Sequence, residues 1–174
     1  MKYFLTLLLF VMTQANAFSQ KTYSVSKDEK TGFLVFKGPI TFDDLLAEPT
    51  FTWMKKGLAS YKPDSNAIIY LRQKLAPYTI ITFMGTWCDD SHLLIPQLSK
   101  VLQAVSFPKD RHVMYGVDRD KQNGGIESRI YDIKKVPTII VFRGNHELGR
   151  ITENVKRNIE TDLVQIIESD TDKN

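Results

Sequence analysis

Downstream of Pro77 the chain switches repeatedly between two hydrophobic periods, and this alternation constrains its fold more than any other feature. Tyr78 to Met84 is a continuous apolar and β-branched run of strand length. From Asp89 to Val105, Leu93, Leu94, Leu98, Val101, Leu102 and Val105 recur on one side, the pattern of an amphipathic helix with Pro96 inside it. A strand at Val113 to Val117, a short helix at Gly125 to Tyr131 and a strand at Thr138 to Phe142 follow. Arg143-Gly144-Asn145-His146 reads as a turn into a hairpin partner, Glu147 to Thr152. A last helix runs from Asn158 to Ser169, with Ile159, Leu163, Ile166 and Ile167 facing inward. Strands that alternate with helices are covered on both faces, and the closing hairpin adds antiparallel pairing. The pattern predicts an α/β fold, a mixed sheet with helices on both faces.

The preceding segment has a different texture. Residues 1–17 join Lys2, an apolar run from Tyr3 to Met12, and Ala15-Asn16-Ala17, the three parts of a secretory signal peptide cleaved after Ala17. That run is far shorter than the ~20 apolar residues that cross a bilayer. Without a Cys at the cleavage point there is no acylation site. A chain beginning at Phe18 is therefore expected to be exported, periplasmic or secreted, with no membrane attachment after signal cleavage. Ser19 to Lys30 is polar and reads as a poorly ordered leader, and Gly32 to Phe36 as a short strand. Thr41, followed by Asp43 and Asp44, marks a helix start that Pro49 interrupts. Two further helices are predicted, over Thr50 to Tyr61 and over Asp64 to Leu75 with Asp64 as its cap. The 174 residues suit one domain, so 18–174 is expected to be a single unit, an N-terminal extension over 18–77 and a core over 78–169. The acidic tail from Asp170 is expected to fray.

The 23 Lys and Arg and 20 Asp and Glu are scattered, with no basic arm or stripe, so no nucleic-acid partner is expected. Cys88 is the only cysteine, which excludes an intrachain disulfide and any multi-cysteine metal site. Gly124-Gly125 lacks the Lys-Ser/Thr of a phosphate loop, and there is no hydrolase elbow or His-Glu-x-x-His; neither cofactor nor metal is assigned.

In an exported chain structural cysteines come in pairs, so a lone thiol asks for a chemical explanation. Phe83-Met84-Gly85-Thr86-Trp87-Cys88-Asp89-Asp90-Ser91-His92 places Cys88 where a buried strand ends and a helix begins. Gly85 permits the turn and Trp87 supplies an apolar wall. A thiol there faces unpaired N–H groups and the positive end of the helix, which favour the thiolate. Asp89 and Asp90 stabilise the same helix end but repel a neighbouring thiolate, while Lys134 and Lys135 act in the opposite sense if they lie close.

Trp87-Cys88-Asp89-Asp90-Ser91, Pro96 eight residues past the cysteine, and Val136-Pro137-Thr138 before a strand–turn–strand together resemble the thioredoxin superfamily. They correspond to its W-C-x-x-C site, its helix-kinking proline and its cis-proline loop. The likeness spans Tyr78 to Ser169 and the strand at Phe33, with the helices between Thr41 and Leu75 as an N-terminal helical elaboration. In detail the chain is similar to secreted bacterial thioredoxin-like proteins with an acidic residue in the site and no second cysteine. The resemblance implies that Cys88 is the nucleophile, that Pro137 is cis and faces it, that Trp87 flanks it, and that Val136 offers backbone hydrogen bonds to an extended substrate. Ser91 stands at the resolving position; it can donate to a thiolate but cannot displace a mixed disulfide. Thr82 stands where the family often keeps a buried acid.

The reading is thus monothiol thiol–disulfide exchange through Cys88, with Ser91 orienting the sulfur and Trp87, Val136 and Pro137 contacting a protein or low-molecular-weight thiol or disulfide. Two alternatives stand beside it. One is a redox-inactive binding module that uses the Trp87 and Pro137 surface. The other is metal handling by Cys88 and His92, which are one helical turn apart; a solvent-exposed or helix-capping His92 is the simpler expectation.

Overall fold

The computed structural model describes residues 22–171; the signal peptide expected at residues 1–17 lies outside the described residues. Six strands, β1 (Ser24–Lys27), β2 (Leu34–Ile40), β3 (Thr79–Met84), β4 (His112–Gly116), β5 (Thr138–Arg143) and β6 (His146–Thr152), form one sheet in the order β1-β2-β4-β3-β5-β6. β3 runs parallel to β4, and every other pair is antiparallel. The six α-helices among the described residues are α1 (Phe42–Ala47), α2 (Thr52–Ser60), α3 (Ser65–Lys74), α4 (Asp89–Ala104), α5 (Glu127–Ile130) and α6 (Ile159–Thr171).

Alternation along β3 divides the core. Ile80 and Met84 point to the face where α3, α4 and α6 contribute Leu71, Leu98, Val101, Leu163 and Ile167, and where α1 and α2 contribute Leu45 and Met54. Phe83 points to the other face, where it meets Val117, Ile133, Val136 and Ile140 beside α5. This is the mixed, two-faced α/β architecture that the alternating periods predict.

Local chemistry sets the helix starts. Thr41 closes a capping box with Asp44, its hydroxyl accepting from Asp44 N at 3.1 Å while the Asp44 carboxylate accepts from Thr41 N at 2.9 Å. Asp64 caps α3 by accepting from Ala67 N at 2.9 Å. Buried Glu160 of α6 accepts from Tyr61 Oη and Asp64 N, each at 2.7 Å, and so fastens the N-terminal helices to the end of the core. The proline inside α4 is seated against a glycine: a Cβ on Gly57 would lie 2.6 Å from Pro96 Cβ, so α2 and α4 approach closely only because Gly57 has none.

Three expectations need correction. The polar segment read as a disordered leader contains β1, paired from Ser24↔Lys37 to Lys27↔Leu34. Leu93, placed on the inner face of its helix, is 60% exposed, because α4 turns Leu94, Ile95 and Leu98 to the core instead. Asp170, assigned to a fraying tail, is still helical, and its carboxylate accepts from Arg143 at 2.7 Å and from Tyr78 Oη at 3.2 Å.

Candidate functional site

Cys88 is the N-cap of α4, in extended conformation, with its carbonyl accepting from His92 N at 3.0 Å. Its half-buried side chain donates to Val136 O at 3.3 Å, so residues 48 positions apart meet through the central strands. The Val136–Pro137 peptide is cis, and both residues are buried. Two bonds hold this loop: Thr138 Oγ1 donates to Lys135 O at 2.8 Å, and Glu153 N donates to Pro137 O at 2.8 Å. Lys135 and Lys134 are paired with Glu153 and Asp132, at 2.6 and 2.7 Å.

Ser91 is fully buried, and its hydroxyl oxygen accepts from Gly85 N at 3.2 Å, leaving the hydroxyl proton outside that bond. Thr86 ties the same turn to β2, donating to Leu34 O at 2.7 Å and accepting from Phe36 N at 3.1 Å. Trp87 donates from Nε1 to Val117 O at 2.8 Å. Its indole lies against Gly85, where an added Cβ would come within 2.7 Å of the ring.

Two cations lie over the indole. The Arg119 guanidinium lies 4.7 Å and Lys121 Nζ 5.8 Å from a Trp87 ring centroid. Both come from the loop after β4, which Asp118 shapes by accepting from Asp120 N and Gln122 N at 3.0 and 2.9 Å. Arg119 is fixed by Asp28, with contacts of 2.5 and 3.0 Å, and Asp28 also accepts from Thr31 N and Thr31 Oγ1 in the β1–β2 turn. Those bonds, Arg119's first, hold the Asp28 carboxyl well below the usual carboxylate range. Arg119 in turn is raised, first by its bond to Asp28, then against desolvation by that carboxylate's charge and by the charge of Cys88. The hairpin therefore fixes a cation over the ring of Trp87, the residue before Cys88. Sequence reading missed this group, because Asp28, Trp87 and Arg119 are distant in the chain; the one local signal was the Asp-x-x-Thr turn at Asp28.

His92 does not turn toward the thiol. Its ring stacks on Trp53, with centroids 4.4 Å apart, and Nε2 lies 2.8 Å from Thr86 O. A carbonyl only accepts, so Nε2 carries the proton. His92 is partly buried rather than solvent-exposed, and no group of three or more potential metal ligands is assembled among the described residues. On β3, buried Thr82 meets His112 Nε2 at 3.1 Å.

The thioredoxin family model matches residues 70–169. No curated protein matches the chain. Among solved structures, mitochondrial thioredoxin 3 from Saccharomyces cerevisiae is similar at 23% identity over 58% of this chain and 88% of its own, with a TM-score of 0.39. Thioredoxin O2 from Arabidopsis thaliana is similar at 21% identity over 59% of this chain and 83% of its own, with a TM-score of 0.36. A Pseudomonas aeruginosa protein of unknown function is similar at 14% identity over 79% of this chain and 88% of its own, with a TM-score of 0.48.

Proposed function

The chain belongs to the thioredoxin family, and from that premise we propose that it performs monothiol thiol–disulfide exchange through Cys88. Membership supports a thiol–disulfide redox function; the single cysteine sets its form. The carrying observation is the meeting of Cys88 Sγ with Val136 O beside Pro137, which brings the thiol to the loop that an extended substrate would pair with.

In this reading the Cys88 thiolate attacks one sulfur of a substrate disulfide. A Cys88–substrate bond forms, the original S–S bond breaks, and the second sulfur leaves as a thiolate that takes a proton from water. Ser91 has no sulfur with which to resolve the adduct. A second thiol, from the substrate or a low-molecular-weight pool, attacks the mixed disulfide, carries the oxidising equivalent away and returns Cys88 to the thiolate. Trp87 shields the sulfur, Val136 and Pro137 align the substrate backbone, and Ser91 holds the turn through Gly85 N.

Export is part of the proposal. The apolar run ending in Ala15-Asn16-Ala17 supports it, and an oxidising compartment would supply disulfide substrates. One observation favours the redox-inactive binding module as a second reading: the Cys88 S–H already occupies the Val136 carbonyl. Alkylation of the native protein separates the two. Exchange chemistry predicts complete modification of Cys88 by a neutral haloacetamide without denaturant. A thiol that reacts only after unfolding would favour the binding module.

A further inference from the structure

A cavity of about 480 Å³ lies between α1, the C-terminal half of α4 and the loop leading into β4. Ser99, Leu102 and Gln103 line it, so it sits roughly 15 Å or more along the α4 axis from Cys88. Ile40, Phe42, Leu102, Phe107 and Pro108 make its walls largely apolar, and His112 also borders it. The volume falls within the ~300–1,000 Å³ typical of small-molecule sites.

His112 gives the cavity a polar group. Its ring stacks on Phe42, with centroids 4.9 Å apart and planes 20° from parallel. Its hydrogen-bond partner among the described residues is Thr82 Oγ1, 3.1 Å from Nε2, and Thr82 is fully buried. A buried hydroxyl whose proton has no acceptor costs about 1–3 kcal/mol, which favours Thr82 donating to Nε2 and the imidazole proton on Nδ1. Among the described residues that Nδ1–H has no acceptor, and His112 lines the cavity.

We propose that this cavity binds an uncharged apolar molecule bearing a carbonyl oxygen, which accepts the hydrogen bond from His112 Nδ1–H. A carboxylate fits less well. Burial lowers the His112 pKa to about 4, so the ring offers no charge at neutral pH. The charged groups lining the cavity, Asp43 and Lys109, are strongly exposed and already face each other at 3.9 Å. A buried carboxylate would therefore lack a fixed counter-charge.

The test titrates the protein, labelled at histidine nitrogens, with the bicyclic ketone 1-tetralone and with its hydrocarbon analogue tetralin. The proposal predicts an Nδ1–H tautomer for His112, a shift of that resonance with the ketone, and roughly 5–10-fold tighter binding of ketone than hydrocarbon, the scale of one hydrogen bond. His112→Phe should abolish the preference while still binding tetralin. An Nε2–H tautomer, equal affinities in the unsubstituted protein, or a His112 resonance unmoved by the ketone would each overturn it; these readouts hold even if the variant fails to fold.

Discussion

At the scale of single residues, the site depends on polar groups aimed with little freedom. Ser91 and Thr82 stand where the family resemblance implies a resolving thiol and often a buried acid, and each has another partner: Gly85 N for Ser91 and His112 Nε2 for Thr82. The second pair has a thermodynamic consequence. The folded His112 takes up a proton only near pH 4, whereas the unfolded chain does so near the ordinary 6.5. Stability is therefore complete above pH 6.5, falls as pH drops from 6.5 toward 4, and gains no further loss from this group below 4. The shift corresponds to a loss on the order of 3 kcal/mol. The double variant His112→Phe/Thr82→Val, which replaces both partners with apolar groups and leaves neither orphaned, should flatten urea-measured stability across that window. An unchanged slope would assign the acid sensitivity to other groups.

Among the elements, α4 and the β1–β2 hairpin converge on the Trp87-Cys88 segment. α4 presents Cys88 at its N-cap, and the hairpin uses Asp28 to hold Arg119 over Trp87. Asp28 has a depressed carboxyl pKa, so its contribution is present above the ordinary 3.8 and is lost only as pH falls below it, after the His112 window has passed. The first turn of α4 offers a direct test of the scaffold. Ser91→Cys places a second thiol three residues along, where neighbouring positions on a helix face come within the ~4.4–6.8 Å Cα separation of a disulfide. The variant should form a reversible internal disulfide under mild oxidant and gain dithiol reductase activity, limited by Thr82 standing where an acid would assist. Two thiols that stay reduced under the same oxidant would show that this turn is not set for exchange.

Over the whole molecule, what was legible in the sequence followed from periodicity and local chemistry. The seven elements after Pro77, the Thr41 and Asp64 caps and the strand-to-helix placement of Cys88 each have a signal within a few residues. β1 had none, since all four of its residues are exposed and no face alternates with burial. The orientation of α4 was misjudged at Leu93, because six candidate positions on one helix exceed what a single inward stripe can hold. Arg119 and His112 reach their partners only through the pairing of β4 with β2 and β3, a long-range arrangement that no local window contains. Export is tested at the same scale: protein recovered from outside the cytoplasm of a bacterial host should begin at Phe18 by intact mass. An uncleaved Met1 chain retained in the cytoplasm would remove both the address and the oxidising context.

The most direct test of the central claim is native mass spectrometry of the protein incubated with a small disulfide such as 2-hydroxyethyl disulfide, followed by a thiol chase. Monothiol exchange predicts one adduct, located at Cys88, that persists after removal of excess reagent and is released only when a second thiol is added. A native protein that stays unmodified, and forms the adduct only once unfolded, would contradict it.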